Sequence, residues 1–174
     1  KDKMPSAGEE VYDDMSGEAN GILSMDNANT IAYKNSVSGV NFSVDFNADN
    51  GSDGSSKSIG LDYSPMDGTM VFVGQSDISA GTNDTDTHTT FGGTYTTMGA
   101  TVGIQMTSID DATAASDIDR THVAASFAVN ENLSVSYGIS TVSFEAASKT
   151  DQEDSGIGAS YTMGSMSFGA SLLA

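Results

Sequence analysis

A chain of 174 residues with 24 carboxylates against six bases carries a formal charge of −18. It lacks the basic footprint that phosphate recognition needs, which excludes a nucleic-acid partner. The absence of cysteine removes disulfide frameworks, thiolate nucleophiles and thiolate metal sites, and no segment approaches the ~18 consecutive apolar residues of a spanning helix.

The chain opens at Lys1, in "KDKMPSAGEE", with neither an initiator Met nor a signal peptide, and reads as a piece of a longer protein. Its first 29 residues, "KDKMPSAGEEVYDDMSGEANGILSMDNAN", are acidic and loop-like, with part-helical character around Ala7–Met15. Helical periodicity is poor in the rest and period two is common. The strands expected from it are Thr30–Val37, Val40–Asn47, Lys57–Ser64, Thr69–Asp77, His88–Thr97, Ala100–Ser108, Arg120–Val129, Leu133–Glu145, Ser155–Met163 and Met166–Ala174. Val40–Asn47 alternates at every place, whereas "TMVFV" is apolar in both phases. Leu133–Glu145 changes phase after Ile139, with Val142 and Phe144 on the other parity, which suggests a bulge.

The connections are more telling than the strands. "VSGV", "SPMDGT", "TMGA", "VNENL" and "TMGSM" are tight, with Gly, Pro, Asp and Asn supplying the turn geometry. Ala48–Ser56, Ile78–Thr87, Ile109–Asp119 and Ala146–Asp154 are long and polar. Short and long connections alternate strictly through all ten strands. Sandwiches and jelly rolls mix connection lengths without such a rule, and no 20–50-residue repeat indicates a propeller or solenoid. An up-and-down sheet with two different ends produces it directly, as in transmembrane β-barrels.

Within these strands the interior charges are Lys34, Asp45 and Asp62, all on the polar phase. Facing lipid at the midplane, Lys costs on the order of 2–4 kcal/mol and Asp somewhat less; facing a wet lumen, either costs little. A soluble sheet with one wet face places them identically, so parity alone favours neither. Strands of eight to thirteen residues fit the ~9–11 that cross a bilayer better than the ~5–6 of soluble strands. Tyr33, Tyr63, Tyr95, Tyr137 and Tyr161 share the apolar phase, as interfacial girdles do and as cross-strand packing also does.

This order of strands, with the opening stretch "DKMPSAGEEVYDDMSGEANGILSMDNANTIAYKN", resembles the alphaproteobacterial general-diffusion porins of the outer membrane. The resemblance implies an all-β, antiparallel up-and-down transmembrane barrel of about sixteen strands. Ten of them lie here, as strands six to fifteen, in residues 30–174. It implies that residues 1–29 form an acidic inward loop whose Glu9, Glu10, Asp13, Asp14 and Glu18 narrow the pore. Lys34, Asp45, Asp62 and Arg120 then line the wall. Such porins oppose the loop with Arg and Lys, and only Lys34 and Arg120 stand here as wall bases. The partners implied are the bilayer, lipopolysaccharide, two further copies in a homotrimer, and the small hydrophilic solutes and ions that pass.

No catalytic constellation emerges. His88 and His122 fall at the starts of expected strands, with no distinctive nucleophile and orienting acid beside them. "NADNGSDGSS" places Asp49 and Asp53 in a Gly-rich turn but lacks the spacing of a calcium loop. The pairs Glu9–Glu10, Asp13–Asp14 and Asp110–Asp111 offer hard oxygen ligands for weak calcium binding, and serve equally as solubilising charge. No other cofactor is expected. The reading is a non-enzymatic diffusion channel, with a secreted or surface β-protein without a pore as the alternative and a smaller closed ten-stranded barrel as a variant of the fold.

Overall fold

Alternating side chains and positive-φ turn residues build a single antiparallel meander. The computed structural model describes residues 30–48, 54–79, 85–112 and 116–174, which form strands and connections without a helix. In chain order the strands are β1 (Thr30–Val37), β2 (Val40–Asn47), β3 (Ser56–Tyr63), β4 (Thr69–Ser79), β5 (Thr85–Thr97), β6 (Ala100–Asp110), β7 (Ile118–Ala128), β8 (Leu133–Phe144), β9 (Gln152–Met163) and β10 (Met166–Leu173). Their order in the sheet is their order in sequence, each pairing antiparallel with the next. The expected up-and-down topology is therefore the observed one. The acidic stretch 1–29 and the Asp49 and Asp53 turn lie outside the described residues.

Tight turns explain why one end is so regular. Ser38 and Gly39 (φ 52° and 82°) and Met98 and Gly99 (φ 50° and 79°) are two-residue turns with both central residues left-handed, the geometry that matches strand twist. Gly164 (φ 61°) opens the β9–β10 turn in the related form with only its first residue left-handed. In the longer β7–β8 connection the Asn130 carboxamide oxygen accepts the backbone N–H groups of Asn132 and Leu133, both at 2.9 Å.

The strand ends near the long connections depart from expectation. β4 and β6 run two residues further, while β5, β7 and β9 begin two or three earlier. β8 carries no bulge. Its pairing with β7 is continuous from Ala128↔Ser134 to Ile118↔Phe144, and Val142 is fully buried on the face that Gly138 and Ser140 share. The parity change is therefore a change in what that face carries, from polar to apolar, rather than a change in strand geometry. Phe72 likewise settles the ambiguous "TMVFV": it is buried, while Val71 and Val73 are exposed.

The register shows that the strands are tilted. One row of paired residues runs Val37, Val40, Tyr63, Val71, Gly93, Ile104, Val123, Ile139, Ser155. It starts against the β1–β2 turn, yet on β9, eight strands away, it stands eight residues short of the tight turn at Met163. The tight turns thus step along the strands by one residue per strand. The backbone carbonyls of Gly68, Gly99 and Asn132, in three successive turns, each accept an N–H from the following, longer hairpin (Thr96, Ala128 and Thr162; 2.7–2.8 Å). With a rise of about 3.3 Å per residue and strands about 4.8 Å apart, turns lying in one plane require a tilt of about 35°. Transmembrane barrels tilt their strands by about 35–45°.

Candidate functional site

The two faces of the sheet are inverted relative to a water-soluble protein. On β7, His122 is 4 % exposed while its neighbour Val123 is 47 % exposed. Across β4–β9 the exposed side chains include Val73, Phe91, Ile104, Phe127, Tyr137 and Ile157. The sheltered side chains are mostly polar: Ser76, His88, Thr90, Gln105, Arg120 and Ser140. Contiguous apolar exposure on this scale marks a surface made for a membrane or another protein.

The apolar face is bounded along the strands. On β6 it runs from Ala100 to Met106 and gives way to Ser108 and Asp110; on β8 it runs from Leu133 to Ile139 before Thr141 and Ser143. Seven residues at the tilt above rise about 16 Å between outermost Cα atoms. End side chains add several Å, against about 25 Å for an outer-membrane apolar band. Lys57, Asp77, Asp110, Asp119 and Glu153 share the exposed face but lie beyond the band, at the long-connection end. The polar-phase placement expected of the interior charges Lys34, Asp45 and Asp62 is observed, while charges at the strand ends also take the exposed face. The Lys57 ammonium lies 3.0 Å from Asp77 Oδ2, and the Thr87 hydroxyl donates to Asp77 Oδ1 at 3.2 Å. Near the band's edge, the rings of Tyr33 and Phe42 meet at 5.7 Å between centroids, tilted by 50°. All five phase-sharing tyrosines are exposed.

The expected wall residues fall into two groups on the sheltered face. Lys34, Asp45 and Asp62 occupy β1–β3. There the Ser58 hydroxyl donates to Asp45 Oδ2 at 3.0 Å, and the Asn41 carboxamide donates to Asp62 Oδ1 at 2.7 Å. Arg120 stands apart on β7, 3 % exposed, in electrostatic reach of Asp154 on β9. It is in register with Thr107, whose hydroxyl meets that of Thr90 at 2.8 Å. The expected constriction residues Glu9, Glu10, Asp13, Asp14 and Glu18 lie outside the described residues.

Sequence reasoning missed the company Arg120 keeps. His88 is the fourth residue of β5 and His122 the fifth of β7, so both lie within strands rather than at their starts. Gln105, His122, Ser140 and Asp154 form one paired row across β6–β9. Their common parity with Arg120 was the available signal. The buried atoms Ser76 Oγ, Gln105 Oε1 and Ser140 Oγ find no hydrogen-bond partner among the described residues. Toward the long connections the same face turns apolar, through Ile109, Ile118, Val142 and Phe144. No group of three or more potential metal ligands occurs among the described residues.

The profile of the family described as Gram-negative porin matches residues 4–171. That match is broader than the alphaproteobacterial type suggested by the opening stretch. No curated protein matches the chain. Among solved structures it is similar to a loop L8 deletion mutant of OmpT, an outer membrane protein of Vibrio cholerae, with 15% sequence identity and a TM-score of 0.61. The likeness covers 82% of this chain and 57% of that one, so the chain spans little more than half of that protein's length. At this identity the likeness shows a shared fold.

Proposed function

Because this chain belongs to the Gram-negative porin family, and so to the outer membrane of a Gram-negative bacterium, we propose that it forms the wall of a water-filled channel for passive diffusion of small hydrophilic solutes and ions. The observation that carries this reading is the inversion of the sheet: apolar residues outside over a bounded band, polar and charged residues sheltered. In a dry core, each buried polar atom without a partner costs about 1–3 kcal/mol. Beside a wet lumen, Ser76, Gln105 and Ser140 cost far less. A secreted β-protein without a pore has no use for an exposed apolar band that drifts by one residue per strand.

The chain catalyses nothing in this reading; size and wall charge set what passes. Lys34, Asp45, Asp62 and Arg120 face the lumen. The acids Glu9, Glu10, Asp13, Asp14 and Glu18 narrow it, with calcium at most a weakly held counter-ion. Further strands pair with the outer edges of β1 and β10. The apolar band meets lipid and two other copies in a homotrimer, and the polar side chains beyond it meet lipopolysaccharide headgroups.

The test is conductance of the intact, detergent-extracted protein in a planar bilayer. Large steps in groups of three, open at low voltage, are expected. Folded, inserted protein that conducts no ions would overturn the reading.

A further inference from the structure

The chain has two histidines, and both lie on the sheltered face within three consecutive strands, flanking the register position of Arg120. The row containing Arg120 runs through Thr90 and Thr107; His88 lies in the adjacent row on the long-connection side and His122 in the adjacent row on the other. We propose that His88 and His122 form with Arg120 a titratable cationic belt on the lumen wall, which turns the pore's ion preference toward anions as pH falls. The proposal rests on the channel reading above and names what regulates its selectivity.

The charged groups around the belt are few. His122 faces Gln105 on β6 and Ser140 on β8, with Gly103, Thr107, Gly138 and Val142 diagonal to it. Its charged neighbours are Arg120 on its own strand and Asp154 in its row on β9. His88 faces Ser76 on β4 and Ile109 on β6, with Gly74, Ile78, Thr107 and, just past the end of β6, the carboxylate of Asp111 diagonal to it. Its charged neighbour on β5 is Asp86, whose Oδ1 accepts the Ala112 N–H at 3.2 Å. Asp45 lies further along its row, through Ser58.

On the sheltered phase of β5–β9, counting the residue just past β6, Arg120 therefore stands against Asp86, Asp111 and Asp154, a net charge of −2, which two imidazolium ions bring to 0. Imidazole is the side chain whose charge ordinarily changes between about pH 5 and 8, while carboxylates remain ionised over most of that range. The belt need not touch a permeating ion. Its field reaches about 10 Å into the lumen at 0.1 M salt and about 3 Å at 1 M.

The experiment is the reversal potential of open channels of the intact protein across a KCl gradient at pH 8 and pH 5.5. In wild type at low salt, the chloride-to-potassium permeability ratio is expected to rise about two-fold or more on acidification, and the rise to shrink at 1 M salt. The His88→Gln, His122→Gln double variant is expected to lose the rise, and His122→Lys to move part of the way to the low-pH preference already at pH 8. A pH-independent ratio in wild-type channels overturns the proposal whether or not any variant folds. An undiminished rise in the double variant also overturns it and moves the titration to other groups. Both results leave the channel reading standing, because each is read from open channels.

Discussion

Phe72 on β4 is the direct cross-strand partner of Gly92 on β5, and its ring occupies the space that a Cβ on Gly92 would enter, with Cζ only 2.6 Å from that position. The aromatic ring covers the space on the sheet that the glycine leaves, and the glycine permits the ring to lie down. Gly92→Ala therefore forces Phe72 and the neighbouring β6 backbone at Ile104 and Gln105 to move. A loss of about 1–3 kcal/mol is expected from overpacking. Gly169→Ala, where nothing lies within 4 Å of the new Cβ, is expected to stay within about 0.5 kcal/mol of wild type. Denaturant unfolding of the two variants in the same detergent checks the contrast.

The limit of the apolar band supplies a second test. Ile104 and Ser108 share the exposed face of β6, four residues apart. Ile104→Arg is expected to cost about 2–4 kcal/mol on folding into lipid vesicles, and Ser108→Arg about 0–1 kcal/mol. Equal costs would remove the membrane boundary from between them.

The Lys57–Asp77 pair tests the same boundary from the other side. With Lys57 69 % exposed, the pair is screened by water, and Asp77→Asn, which keeps an acceptor for the Thr87 hydroxyl, is expected to cost less than about 1 kcal/mol. A loss of about 3–5 kcal/mol would place the pair in a low-dielectric environment instead.

The β5–β6 turn holds Met98 in the left-handed region at full exposure. Met98→Asn is expected to stabilise the hairpin by up to about 1 kcal/mol, because Asn tolerates that conformation. Gly99→Ala is expected to cost about 1–2 kcal/mol for conformation alone, since its Cβ meets Ala128 only at ordinary contact distances of 3.7 and 3.8 Å. Thermal unfolding of both variants is the measurement.

The sequence makes one end of this fold far easier to read than the other. At the tight turns, Val37/Val40, Thr97/Ala100 and Met163/Met166 were placed to the residue, because Gly and its neighbours punctuate the alternation there. At the long connections, β5 begins with Thr85-Asp86-Thr87 and β9 with Gln152-Glu153-Asp154, polar on both faces beyond the apolar band. Period two has nothing to alternate between in those segments, so the strands were drawn short. Shortened strands placed His88 and His122 at strand starts. Val142 suggested a bulge because its face was expected to remain polar, whereas that face becomes apolar beside Ile109 and Ile118. That Lys34, Asp45, Asp62 and Arg120 share one face of the sheet was legible by parity. That Arg120 stands four or more strands from the other three, among histidines and hydroxyls, needed the register.

The central claim is that the sheltered face looks into water and the exposed face does not. Because these 174 residues hold no cysteine, each cysteine introduced into them is read against the unsubstituted protein as background. Ala125 and Ser126 on β7, and Ala159 and Ser160 on β9, are adjacent residues of similar size on opposite faces. The most direct measurement is the rate of labelling of these four positions by a small, charged, membrane-impermeant thiol reagent, in the native membrane. Fast labelling at 126 and 160, with protection at 125 and 159, is the result this account requires. Protection at 126 and 160 with labelling at 125 and 159 would contradict it.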